Sequence, residues 1–132
     1  MKPTVYIETT IPSYYHDDRP ALQRDILRTR EWWDVERDGY ECFVSPVVLT
    51  ELDQGDYPNK NDCLSLVADL PVLEILSEIE EISEAYWQHQ VMPRRPSGDA
   101  AHLAIASYYR VDYVLTWNCK HLANARKTSF AG

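Results

Sequence analysis

Short apolar runs alternate along the chain with longer stretches of helical period. Residues 4–8 (TVYIE) form the first run, rich in β-branched side chains and bounded by Pro3 and Pro12, with Val5 and Ile7 on one face and Tyr6 on the other. Residues 20–37 open with a proline suited to a first helical position and set Leu22, Ile26, Trp33 and Val35 loosely on one side. This stretch stops before Asp38-Gly39. Residues 41–44 (ECFV) read as a second strand, after which Ser45-Pro46 caps and opens a helix that runs to about Gln54 and is stopped by Gly55. A helix over 59–69 presents Leu64, Val67 and Ala68, and residues 71–76 (PVLEIL) read as a third strand. Ser77 starts an acidic helix in which Ile79, Ile82 and Tyr86 recur at helical spacing. A loop over 93–98 (PRRPSG) leads to a compact Ala-rich helix over 98–109, a fourth strand at 113–116 and a short helix over 119–126. Strands too short and apolar to be half-exposed, alternating with helices, predict an α/β fold with a parallel sheet covered on both faces.

Composition narrows the class. The chain has 132 residues, 45% hydrophobic and 26% charged, which suits a single soluble globular domain spanning 1–132. The longest apolar runs, such as FVSPVVL, fall well short of the ~20 residues of a membrane span. The N-terminus leads directly into a strand-like run, so no signal peptide is expected. Cys42, Cys63 and Cys119 are odd in number, with neither a C-x-x-C spacing nor a histidine at zinc-finger distance, and read as reduced cytoplasmic thiols. Thirteen basic against 21 acidic residues give a net charge of −8, which opposes broad binding to phosphate backbones. It does not exclude a nuclease, because carboxylates gathered around a divalent cation raise the negative count while the cation reverses the local sign.

Ligands of open parallel sheets bind at the carboxyl ends of the strands. Glu8 ends the first strand, followed by two threonines. Glu51 lies six residues past Ser45 on an otherwise apolar helix (Val47, Val48, Leu49, Leu52), where a buried carboxylate needs a partner. Asp99 falls in the first turn of the helix beginning SGDAAHLAIA, and Asn118 follows the fourth strand in LTWN. Each alone has an ordinary reading: a solvated strand end, an exposed helix residue, a helix-start acid favoured by the macrodipole, a turn residue. Together they make a candidate pocket. Three converging carboxylates repel one another unless protonated or bridged by cations, and oxygen-only ligation favours Mg2+ or Mn2+. Such a cleft activates water for in-line attack on a phosphodiester.

The ordered segments YIETTIPS, VVLTEL, GDAAHLAIA and YVLTWNCKHLANA resemble the PIN-domain family, in particular the VapC-like toxins of bacterial toxin–antitoxin pairs, over residues 4–126. The resemblance implies a three-layer α/β fold with strand order 3-2-1-4-5, a Mg2+- or Mn2+-dependent ribonuclease activity, an antitoxin partner and a homodimer. It places Glu8 at the family's first-strand acid, Glu51 at the helix Glu and Asp99 at the acid opening the Ala-rich helix, the three as metal ligands. Thr10 and Thr116 take supporting positions, and Asn118 stands where many members carry a further Asp.

Three departures follow from this comparison. Glu for Asp at position 8 lengthens the ligand by one methylene, and Asn118 removes a charge while keeping a carbonyl oxygen that can ligate or hold a water. Both are compatible with an active subfamily or with one whose activity has decayed. Residues 127–132 (KTSFAG) do not read as a strand, so the order 3-2-1-4 with the fifth edge strand missing is expected, leaving strand four as an edge. A PIN-like scaffold or binding module without strong catalysis is therefore the alternative function. A phosphoacceptor receiver domain is disfavoured, because ETT offers one acid and no lysine fits after the last strand.

Other residues have two readings each. Arg94, Arg95 and Lys120 (with His121) are candidate RNA-phosphate contacts or plain solvated positions. His102, one turn after Asp99, either hydrogen-bonds that residue or packs in its helix. Trp32 and Trp33 suit a core or a dimer surface, and the run Glu78–Glu84 a solvated face.

Overall fold

The computed structural model describes residues 1–88 and 99–118, with the side chains of 83–88 and of 99 outside the description. Strand β1 (Thr4–Ile7) runs between β2 (Glu41–Phe43) and β3 (Tyr113–Leu115), all parallel, with Val5 opposite Cys42 on one side and Tyr113 on the other. Val5, Tyr6 and Ile7 are all buried, so both faces of the central strand are covered, as a parallel sheet requires.

Among the described residues six α-helices flank the sheet: α1 (Thr10–Tyr15), α2 (Gln23–Glu31), α3 (Pro46–Asp53), α4 (Lys60–Val67), α5 (Ser77–Gln88) and α6 (Asp99–Tyr108). One buried cluster joins Val5 and Ile7 of β1 to Val48 and Leu52 of α3, Ile79 of α5 and Leu103 to Ala106 of α6. Among the described residues no helix is long and apolar enough to cross a membrane.

Ser45 caps α3 as expected: its hydroxyl accepts the Val47 N–H at 3.2 Å, and Pro46 occupies the first turn. Beyond α3, Gly55 takes φ +77°, a conformation that glycine adopts without the Cβ clash other residues meet.

The third expected strand is much reduced. Residues 71–73 meet the sheet through a single parallel bridge, Val44 to Val72, with Val44 N–H on the Pro71 carbonyl at 3.0 Å and Leu73 N–H on the Val44 carbonyl at 2.8 Å. The bridge places this segment beside β2, so the order of the four segments is the expected 3-2-1-4. It does not extend to residue 76: the Glu74 carbonyl is taken by the Tyr109 hydroxyl at 2.7 Å, and Ile75 and Leu76 are exposed. The expected fifth-strand region, 127–132, lies outside the described residues.

Three helical details differ from expectation. The expected helix over 20–37 is a composite: a tight 3-10 turn (Pro20–Leu22), α2, a π-helical turn (Trp32–Glu36) and a second 3-10 turn (Arg37–Gly39). The wider π turn shifts the facing of later positions, burying both Trp32 and Trp33 and leaving Val35 70% exposed. In α4 the buried side is Cys63 and Val67, and Ala68 is exposed. Helix α1 was not expected at all. It begins two residues beyond β1, with Ile11 N–H on the Glu8 carbonyl at 3.0 Å, buries Ile11 and Pro12, and carries its proline in the first turn, where a missing N–H costs little.

Candidate functional site

The ladder between β1 and β3 continues one residue past β1, with the Glu8 N–H on the Leu115 carbonyl at 3.1 Å. This sets Glu8, 4% exposed, beside Thr116 at the exit of β3. Its Oε1 accepts the Thr10 N–H at 3.0 Å, the Thr10 hydroxyl at 2.5 Å and the Thr116 hydroxyl at 2.7 Å. Each hydroxyl also accepts a backbone N–H from the chain leaving β3: Trp117 on Thr10 at 2.9 Å and Asn118 on Thr116 at 2.8 Å. The two threonines therefore lock the strand exit and orient the carboxylate with the same oxygen atoms.

Glu51 projects from α3, half-buried. Its Oε1 accepts the Thr9 hydroxyl and lies 2.8 Å from His102 Nε2. Burial works against ionisation of Glu51, but the hydrogen bond and charge of His102, with the Thr9 bond, outweigh it and hold the carboxyl below its ordinary range.

His102, on α6, is fully buried. Its Nδ1 lies 2.5 Å from the Tyr6 hydroxyl, which in turn lies 2.8 Å from the Ser45 hydroxyl. Burial pushes the Tyr6 phenol well above its ordinary range, against the Ser45 bond and with the charges of Glu8 and Glu51. With Glu51 ionised and accepting only, Nε2 carries a proton, and the Tyr6 hydroxyl, able to donate or accept, partners Nδ1. A polar chain thus crosses the core from the cap of α3 to the carboxylate on the same helix.

Glu8, Glu51 and His102 each offer one ligand atom, and the three atoms lie within 4.8 Å of one another, a spacing that one metal ion can span. A cavity of about 560 Å3 adjoins Glu51, lined also by Ser13, Asp17, Arg19, Tyr57 and Asn59. At its rim Arg19 forks onto Asp17, with its hydrogen bonds holding that carboxyl down at about 2.

The structure brings Glu8 and Glu51 together, with Thr10 and Thr116 in direct support of Glu8. Asn118 is linked to Glu8 through Thr116. Asp99 opens α6 one turn before His102, with its side chain outside the description, and Arg94, Arg95 and Lys120 lie outside the described residues. His102 is buried and bonded, but its described carboxylate partner is Glu51. Sequence reasoning missed Tyr6 and Ser45 as polar members of the site. The signal for His102 was its i, i+3 relation to Asp99, which puts both on one helix face.

No family model and no curated protein matches the sequence. Solved structures do match the fold. FitAB bound to the IR36 DNA fragment aligns with a TM-score of 0.64 at 16% identity, covering 96% of this chain and 93% of that chain. FitAcB from Neisseria gonorrhoeae aligns at 0.63 and 14% identity, covering 96% of both chains. VapBC2 from Rickettsia felis, bound to a DNA fragment from its promoter, aligns at 0.60 and 13% identity, again covering 96% of both chains. The parallel sheet flanked by helices is the PIN-like fold of these neighbours.

Proposed function

We propose that this chain is a divalent-cation-dependent endoribonuclease of the VapC-like PIN type, the toxin of a toxin–antitoxin pair, hydrolysing RNA phosphodiester bonds. The observation that carries this reading is the convergence of Glu8, Glu51 and His102, three ligand atoms within 4.8 Å at the carboxyl end of a parallel sheet. The donor set fits a cation. Two carboxylates this close repel unless bridged, and the bonds described for each fall on Oε1. Glu8 and Glu51 would hold Mg2+ or Mn2+, joined by Asp99 from the start of α6 and by Asn118 directly or through water.

A bound cation supplies activated water and neutralises charge at the scissile phosphate. The chain's own groups orient the site: Thr10 and Thr116 fix Glu8, and Thr9 and His102 keep Glu51 ionised and aimed. The neighbours are toxin–antitoxin complexes, which supports an antitoxin partner here. A single domain over 1–132, a homodimer, a cytoplasmic location and RNA-phosphate contacts from Arg94, Arg95 and Lys120 belong to the same proposal.

The test is cleavage of RNA by the purified chain titrated with Mg2+ or Mn2+, beside an Asp99→Ala control. Cleavage by the wild type and not by the control supports the proposal, and no cleavage by either contradicts it. Asn118 favours a second reading, a PIN-like binding module with weakened catalysis. Calorimetric titration separates the two, since such a module lacks a Mn2+ site of millimolar affinity or better.

A further inference from the structure

The imidazole of His102 has the surroundings of a metal ligand. Histidines that bind metals through one ring nitrogen generally donate the other N–H to a fixed partner, which sets the tautomer and the ring orientation. His102 is fully buried and faces Glu51 with Nε2, at 2.8 Å, and the Tyr6 hydroxyl with Nδ1, at 2.5 Å. It belongs with Glu8 and Glu51 to a group whose ligand atoms lie within 4.8 Å of one another.

The Tyr6 hydroxyl both donates and accepts, so the chain behind His102 runs in either direction. With the ring neutral and Nε2–H on Glu51, Tyr6 donates to Nδ1. With Nε2 committed to a cation, Nδ1–H donates to Tyr6 and Tyr6 donates to the Ser45 oxygen, 2.8 Å away. Ser45 Oγ has lone pairs for both Tyr6 and the Val47 N–H. Nε2 is thereby freed for an ion while the buried Nδ1 and Tyr6 hydroxyl keep their partners.

We infer that His102 Nε2 is a direct metal ligand alongside Glu8 and Glu51, with Tyr6 and Ser45 as its positioning residues, and that this mixed nitrogen–oxygen site selects Mn2+ over Mg2+. The inference rests on the proposed metal-dependent nuclease and replaces an oxygen-only site with one that an imidazole biases toward transition metals. Mg2+ strongly prefers oxygen donors, whereas imidazole suits first-row transition ions.

The experiment loads the full chain with Mn2+ and records electron spin echo modulation, alongside calorimetric titration of Mn2+ and Mg2+. The expected result is nitrogen coupling to Mn2+ in the wild type and a Kd for Mn2+ at least about tenfold below that for Mg2+. Tyr6→Phe keeps the ring and removes the hydroxyl, and weakens Mn2+ binding by about 10–100-fold, the usual loss for the outer partner of a metal-bound histidine. Circular dichroism establishes that this variant is folded. The wild-type spectrum needs no variant, so a His102→Asn protein that does not fold leaves the test intact. Mn2+ bound without nitrogen coupling overturns the inference, and if RNA is still cleaved the nuclease reading stands. No Mn2+ binding at all overturns both.

Discussion

Nε2 of His102 lies 2.8 Å from Oε1 of Glu51, tying α6 to α3 across 51 positions of sequence. The contact joins the helix that Asp99 opens to the helix that Ser45 caps, and so sets the spacing of the candidate ligands. Glu51→Gln keeps the shape of the side chain and removes its charge. The expected outcome is loss of at least about tenfold in Mn2+ affinity and a much larger loss of cleavage, with the fold retained. Calorimetry, a cleavage assay and circular dichroism on one preparation check all three.

Glu51 also makes stability depend on pH. Its folded-state carboxyl lies below its ordinary range, so its contribution to stability is present above the unfolded value and is lost as pH falls through the folded one. Urea denaturation from neutral pH down through the acidic carboxylate range is expected to show a loss that Glu51→Gln flattens. An identical acid limb in the variant contradicts this.

Thr10 and Thr116 share one acceptor, Oε1 of Glu8, and each accepts a backbone N–H from the exit of β3. Replacing either with valine leaves a backbone donor without its oxygen. Each substitution is expected to cost about 1–3 kcal/mol in urea denaturation, and the double variant less or more than the sum, because the two act on one carboxylate.

The legible and illegible parts of the site divide by range in sequence. Glu8 and Glu51 were readable because each breaks a local pattern, one ending an apolar strand and the other interrupting an apolar helix. The Tyr6–His102 contact spans 96 positions and the Tyr6–Ser45 contact 39. Nothing local marks Tyr6 as polar, since a tyrosine in a β-rich run reads as packing. Helix α1 was hidden for the opposite reason: Thr10, Ile11 and Pro12 have poor helix propensity, and burial of Ile11 overrides it. The strand expected at 71–76 has the right composition but makes only one bridge among the described residues, and its Glu74 carbonyl is taken by the Tyr109 hydroxyl, a contact 35 positions away that nothing local announces.

Burial pushes the Cys42 thiol up to about 11 and raises that of Cys63. Since the thiolate is the reactive form, iodoacetamide at about pH 8 is expected to leave both unmodified in the native protein and to label both in denaturant. Peptide mass spectrometry reads each site separately, and rapid native labelling of either contradicts its burial.

The Glu8–Glu51 cleft is expected to bind a cation and to cut RNA. The most direct measurement is cleavage of a defined RNA by the purified chain in Mn2+, in excess EDTA and as Glu8→Gln. The expected result is cleavage in Mn2+ that EDTA abolishes and that Glu8→Gln reduces by at least about 100-fold, roughly what removal of about 2.7 kcal/mol of transition-state stabilisation does. Cleavage that persists in EDTA, or undiminished in Glu8→Gln, would contradict it.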